Sequence, residues 1–382
     1  MSYTKLFSQI EELNEQYLSF LEDVCNIESP TVLKEGVDKV AYYFADKAKE
    51  KGWKIEVFKQ EVAGDVVCIT MNPEVDEKPI SLSAHLDTVH PVGLFGYPPV
   101  TRDNEKMYGP GVVDCKGGAV TAFMAMDALE RVGFKKRPVM LLLQSDEEVG
   151  SHLSNKATIN YICEKAKDSV GFLNLEGANG NTAVWQRKGI LRVKISIKGK
   201  AAHSSECFKG VSAITEAAHK IIELEKYKDA ANITCNCGVI SGGTVGNSVA
   251  EECYFIADFR YATKENLEEI KQKLAYVCEN STLEGCSCSY EFTNTRPPME
   301  FCERNKNFLE TINAIYKECG MPELKGKLAF GGSDAAYTTI AGIPTLDDMG
   351  TEGGRIHSRE EFVYLKSIVE SAKKIAAVCY GI

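Results

Sequence analysis

Long apolar runs are scarce in this sequence. The longest purely aliphatic stretch, Val139 to Leu143, is far shorter than a bilayer-spanning helix needs. An apolar centre near the start is equally absent. MSYTKLFSQIEELNEQYLSF carries charge in every turn, which fits an amphipathic helix and not a secretion signal. There is no internal repeat, no low-complexity tract and no Pro- or Ser-rich linker. Positive charge is in deficit: a net charge of −10 argues against a nucleic-acid partner, whose phosphates favour a basic face. The CxxC pairs of zinc knuckles are missing too. The closest cysteines, Cys235 with Cys237 and Cys286 with Cys288, stand one residue apart, so on a strand each pair faces one side and packs as small hydrophobes. Fourteen cysteines in a long chain without a secretion signal point to a reducing compartment. The expectation is a cytoplasmic protein with no membrane and no nucleic-acid partner.

What is present is ordinary globular material, 44% hydrophobic and 26% charged. At 382 residues the chain exceeds what one core usually supports, so two domains are expected. Val37, Val40, Ala41, Phe44 and Ala48 fall at helical spacing, and Gly52 follows as a stop. Lys54 to Phe58, Val66 to Met71, Pro79 to Leu86, Arg137 to Gln144 and Gly171 to Leu175 read as strands, and Ala119 to Leu129 as a buried helix. Such alternation predicts an α/β sheet covered on both sides.

Near Gly189 the pattern changes. ILRVKISIKG alternates apolar and polar residues, as a strand with one wet face does. A helix over Val211 to Lys226, strands over Ile233 to Ile240 and Glu252 to Arg260, a helix over Lys264 to Cys278 and a strand over Ser287 to Phe292 complete a βαββαβ order. That order predicts a ferredoxin-like α+β insert at 189–296, splitting a catalytic domain into 1–188 and 297–382.

Candidate chemistry clusters at strand ends, where carboxylates and imidazoles can converge on a divalent metal. His85 and Asp87 follow the PISLSA strand, two apart, so both can point to one side. Asp114 lies in the glycine-rich GPGVVDCKGG. Asp146, Glu147 and Glu148 end the most apolar strand, where three acids are costly unless they bind something. An acidic patch favoured by a helix dipole is the alternative, and the residues alone leave both open. Glu176 ends another strand, and His357 sits in the polar loop GGRIHSREEF. His90, His152 and His219 read as surface or packing residues.

HLDTVHP, GPGVVDCKGG, SDEEVGS, GKAAHSS, ADFRY, GGSDAAY and GGRIHS occur in an order and spacing that resemble the M20 zinc metallopeptidases, glutamate-releasing carboxypeptidases in particular. The resemblance implies a zinc-peptidase-type catalytic domain with a mixed central sheet and a lid or dimerisation insert. It implies two Zn²⁺ per subunit, with Co²⁺ or Mn²⁺ as alternatives, and a homodimer. Asp114 matches the bridging ligand, His85 and Glu176 the other ligands of one metal, and Glu148 and His357 those of the second. Glu147 matches the general base and Asp87 the residue that orients His85. His203 matches a histidine that reaches a neighbouring subunit's site to steady the reacting carbonyl, and Arg260 and Asn247 match residues that hold the substrate's free carboxylate. Asp114–Cys115 matches a cis peptide bond. For His203 a structural loop role, and for Arg260 an internal salt bridge, are the plain alternatives.

The implied activity is cleavage of the amide bond next to a C-terminal carboxylate, on a dipeptide or an N-acyl amino acid. Release of a C-terminal amino acid such as glutamate stands first. An N-acyl-amino-acid amidohydrolase using the same site is the alternative, followed by a silent binding homologue and a thiol hydrolase built on Cys115. Two departures matter. Cys115 stands where many relatives have Asp or another residue, and NTAVWQRK (181–188) does not match the glutamate-releasing relatives. Trp185, Arg187, Lys188 and Arg296 are therefore candidates for a different pocket.

Overall fold

A computed structural model describes residues 3–382, and the chain divides into two compact units. The first comprises 1–185, 301–327 and 337–382; the second comprises 186–300 and 328–336. The segment 328–336, which the sequence reading leaves with the first domain, thus belongs to the second unit.

The first unit is an α/β domain around a mixed six-stranded sheet. Its strands run Lys54–Phe58, Val66–Met71, Val139–Gln144, Ile80–His85, Gly171–Asn174 and Thr345–Leu346 in spatial order. The first two junctions are antiparallel, while the last four strands are mutually parallel. Successive side chains serve opposite layers: Val67 and Ile69 join the larger core, and Val66 and Cys68 a smaller one on the other face. Both faces are therefore dry, which explains the continuous apolar reading of Val139–Gln144.

Helix Tyr3–Asn26 buries Leu6, Ile10, Leu13, Tyr17 and Leu21 at helical spacing. It packs on helix Lys116–Arg131, which is buried over most of its surface. A second, small sheet joins Gly353–Gly354, Phe362–Tyr364, Lys106–Tyr108 and Thr101–Arg102 in that order. Its strands are too short to carry a periodic signal in the sequence. Among the described residues no helix is long and apolar enough to cross a membrane.

The second unit has the expected α+β character. Its four-stranded antiparallel sheet has the order Ile233–Gly242, Glu252–Tyr261, Gly189–Lys198, Ser287–Arg296. Along Gly189–Lys198 buried and half-buried residues alternate, with Leu191, Val193, Ile195 and Ile197 facing the core under helices Ala213–Leu224 and Lys264–Glu279. Cys235, Cys253 and Cys278 belong to this core, and Cys237, Cys286 and Cys288 pack against it, all as free thiols.

Candidate metal centre

Three parallel strands deliver the acidic and imidazole groups from their carboxyl ends. Pairing of His85 with Gln144, and of Ser83 with Asn174, sets these ends level. The loops that follow carry Asp87, Glu147 and Glu148, and Glu176. Such ends are where open α/β sheets place ligands.

Asp114 arrives by another route, on the loop after Lys106–Tyr108 that leads into helix Lys116–Arg131. Glycines let this loop press against its surroundings. Gly111 holds φ +78°, and a Cβ on Gly118 would lie 2.1 Å from the Leu175 carbonyl oxygen. The Asp114–Cys115 peptide is cis, matching the expectation. His357 lies between two strands of the small sheet with φ +60°, a left-handed conformation rare outside glycine.

These residues meet. Asp114 presents Oδ1 to His85 Nε2 at 3.0 Å and Oδ2 to His357 Nε2 at 3.2 Å. His357 Nε2 is also 3.3 Å from Glu148 Oε2, and His85 Nε2 is 3.8 Å from Glu176 Oε1. Asp87, wholly buried, accepts from Glu147 N and Glu148 N at 3.1 Å each and from Thr31 Oγ1 at 2.8 Å. His85 Nδ1 lies 2.9 Å from the Asp87 carbonyl oxygen and 3.4 Å from its carboxylate.

The electrostatics state what the cluster wants. Burial drives the Glu176 carboxyl well above its ordinary value and Glu148 up to about 7. For Asp114 burial acts the same way, but the two imidazoles bonded to it prevail and hold it well below the carboxylate range. His357 is raised to about 10 by its hydrogen bonds to Asp114 and Glu148. Burial lowers His85, yet the neighbouring Glu176 and the hydrogen bonds to Asp114 and Asp87 lift it well above normal. Side chains of Asp114, Glu148 and Glu176 are 15% exposed or less, so their charge calls for a cation. Ligand atoms of His85, Asp114 and Glu148, and separately of His85, Cys115 and Glu176, all lie within 4.8 Å of one another. Imidazole and carboxylate donors disposed in this way fit divalent metals of the zinc, cobalt and manganese type.

The model of peptidase family M20/M25/M40 matches residues 81–380. The chain belongs to the M20 peptidase family. It is a hydrolytic enzyme of peptide or amide bonds, from a metal-dependent family. Carboxypeptidase G2 of Pseudomonas sp. (strain RS-16) is 28% identical over 371 residues, 95% of this chain and 88% of that one. The succinyl-diaminopimelate desuccinylase of Nitrosospira multiformis is 25% identical, covering 89% of this chain and 91% of its own. The crystal structure of aminopeptidase PepT from Bacillus cereus superposes with a TM-score of 0.80 at 21% identity, covering 96% and 98% of the two chains. That likeness concerns the fold.

His203, Asn247 and Arg260 belong to the second unit. His203 is exposed, and its Nδ1 accepts from Ser205 N at 3.3 Å. Ser204 N donates to Asn247 O at 2.9 Å and Val249 N to Ala202 O at 2.8 Å, so the His203 and Asn247 loops are laced together. Arg260 makes the salt bridge that its strand position allowed, Nε to Asp258 Oδ1 at 2.7 Å, with its side chain 30% exposed. Of the residues named for a different pocket, Arg187, Lys188 and Arg296 are buried and Trp185 is half-buried. Arg187 donates to the Gly331 carbonyl at 3.1 Å, Lys188 donates to the Asn232 carbonyl at 2.7 Å, and Arg296 is 6% exposed.

Several supporting residues escaped the sequence reading. Thr31 bonds Asp87; Lys116, wholly buried, donates to the Val24 and Ile27 carbonyls at 3.1 and 2.8 Å. His90 is buried against Glu361, with Nε2 to Oε2 at 2.7 Å. His90 and Lys116 stand inside HLDTVHP and GPGVVDCKGG, which does not reveal burial, and Thr31 stands near no motif at all.

Proposed function

We propose that this M20 enzyme holds two zinc ions per subunit and cleaves the amide bond next to a free carboxylate, releasing a C-terminal amino acid. The observation that carries the proposal is Asp114, whose two carboxylate oxygens face two different imidazoles, as a ligand shared by two metals requires. Bound divalent metals supply Lewis acidity and lower the pKa of a water.

The chain's own groups do the rest. Glu147, adjacent to the ligand Glu148, takes the proton of the attacking water and returns it to the departing amine. Asp87 holds both the His85 ring and the Glu147 backbone in place. His203, contributed by the second copy of a homodimer, donates to the oxygen that gains charge. Arg260 and Asn247 bind the free carboxylate, where a planar guanidinium offers two parallel hydrogen bonds. Free thiols throughout favour the cytoplasm.

Carboxypeptidase G2 supports the carboxypeptidase reading, and the desuccinylase supports an N-acyl-amino-acid amidohydrolase with the same site. The test is a panel of dipeptides and N-acyl amino acids, each with a free and an amidated carboxyl end, given to the metal-loaded enzyme. Turnover confined to free carboxylates is expected, and the panel ranks acyl groups and leaving residues. Hydrolysis of none of them would favour a silent binding protein.

A further inference from the structure

Glu361 is wholly buried, four residues beyond His357, and every contact of its carboxylate is directed at one loop or at one ring. Oε1 accepts from the backbone N–H groups of Val113 and Asp114, both at 3.1 Å. Oε2 accepts from Gly111 N at 3.3 Å and from His90 Nε2 at 2.7 Å. A carboxylate taken out of water is strongly destabilising unless fully hydrogen-bonded, and here each oxygen has two donors.

Backbone pairing acts in the same direction. Phe362 is in register with Tyr108, and Gly109 N donates to the Glu361 carbonyl at 3.3 Å. His90 is itself fixed, with its ring edge-on to Phe95 at 5.0 Å between centroids. It lies on the loop that follows His85. One buried carboxylate therefore ties together the loops that carry His85, Asp114 and His357.

We infer that Glu361, braced by His90, is a positioning residue that fixes Asp114 against His357 and so sets how tightly the metal site holds its ions. The inference rests on the reading of Asp114 and His357 as ligands in the proposed function. A plain gluing role for the same hydrogen bonds predicts a loss of fold stability alone. Positioning predicts a loss of metal affinity over and above any loss of metal-free stability.

The experiment measures Zn²⁺ and Co²⁺ affinity of the full chain by competition with a chromophoric chelator, beside the thermal midpoint of the metal-free protein. Glu361→Gln places an amide where four N–H donors point, and His90→Phe removes the brace while keeping a ring. Both should bind metal about 10–100-fold more weakly, the range seen when partners of metal ligands are lost. His90→Gln, which restores an N–H donor, should recover most of that affinity. Should Glu361→Gln fail to fold, His90→Phe and His90→Gln carry the test. Wild-type metal affinity in His90→Phe, or a lowered midpoint with affinity unchanged, overturns the inference. Absence of metal binding by the wild-type chain would instead overturn the metal reading beneath it.

Discussion

The carboxylate of Asp87 accepts the backbone N–H of Glu147 at 3.1 Å. Its other oxygen accepts that of Glu148, while its main-chain oxygen faces the His85 ring. One buried residue, through its carboxylate and its main-chain oxygen, thus holds the proposed base, a proposed ligand and the strand end that carries another. Asp87→Asn turns an amide N–H₂ towards a backbone donor, so kcat should fall about 10–100-fold. Steady-state rates at equal metal content check this, and a change under threefold would refute it.

Glu147→Gln keeps shape and removes the proton acceptor. An expected loss of about 10²–10⁴ in kcat, with metal stoichiometry unchanged by elemental analysis, separates a base from a ligand. Loss of metal along with activity would reassign Glu147 to the ligand set.

Arg260→Lys exchanges a planar fork for a point charge. The expected result is a KM raised roughly tenfold or more for free-carboxylate substrates, with a smaller change in kcat. Equal KM values for both proteins would leave Arg260 as the Asp258 ion-pair partner that it also is.

Metal removal and thiol alkylation should act differently. Cys115 is 1% exposed, and burial pushes its thiol well above the ordinary value, so it is a poor nucleophile. Iodoacetamide should modify the exposed Cys207 and spare activity, whereas dialysis against a chelator should abolish activity until divalent metal is restored. The reverse pattern would revive the thiol mechanism.

Acid stability should depend on Asp65. Burial works against its ionised form, but Lys34 at 2.8 Å, Tyr42 at 2.5 Å, Gln60 N and Lys59 at 2.9 Å hold it below the usual carboxylate range. Its folded pKa is thus depressed, so its stabilisation is present above the unfolded value of about 4 and is lost as pH falls below that. Asp65→Asn should lower stability at neutral pH by about 1–3 kcal/mol and flatten the acid limb of a urea-unfolding series. Parallel pH curves for both proteins would show that Asp65 contributes nothing to that limb.

Sequence legibility followed the reach of each physical signal. Alternation along Gly189–Lys198 and the two-sided apolarity of Val139–Gln144 are properties of single strands, and both read correctly from residue type. Helix Ala157–Ala166 was missed because it is short and opens behind the polar 146–156 loop, without a capping side chain. Transfer of 328–336 to the second unit leaves no local mark, since it depends on contacts distant in sequence. Motifs placed His85, Asp114, Glu148 and His357 by chemistry and order. The supporting Glu361 and His90 were illegible because their pairing spans 271 positions, and neither burial nor partner can be read from REEF or TVHP.

The small sheet has a consequence for biosynthesis. Its pairing of Lys106–Tyr108 with Phe362–Tyr364 joins an early segment to a very late one. The three strands that lead to His85, Glu148 and Glu176 are all synthesised before the ribosome reaches the fourth parallel strand, Thr345–Leu346, or the late strands of the small sheet. Asp114 has no His357 beside it until residue 364 has emerged. A chain stalled short of that point has the acidic strand ends without the imidazole that faces Asp114 Oδ2 in the finished fold.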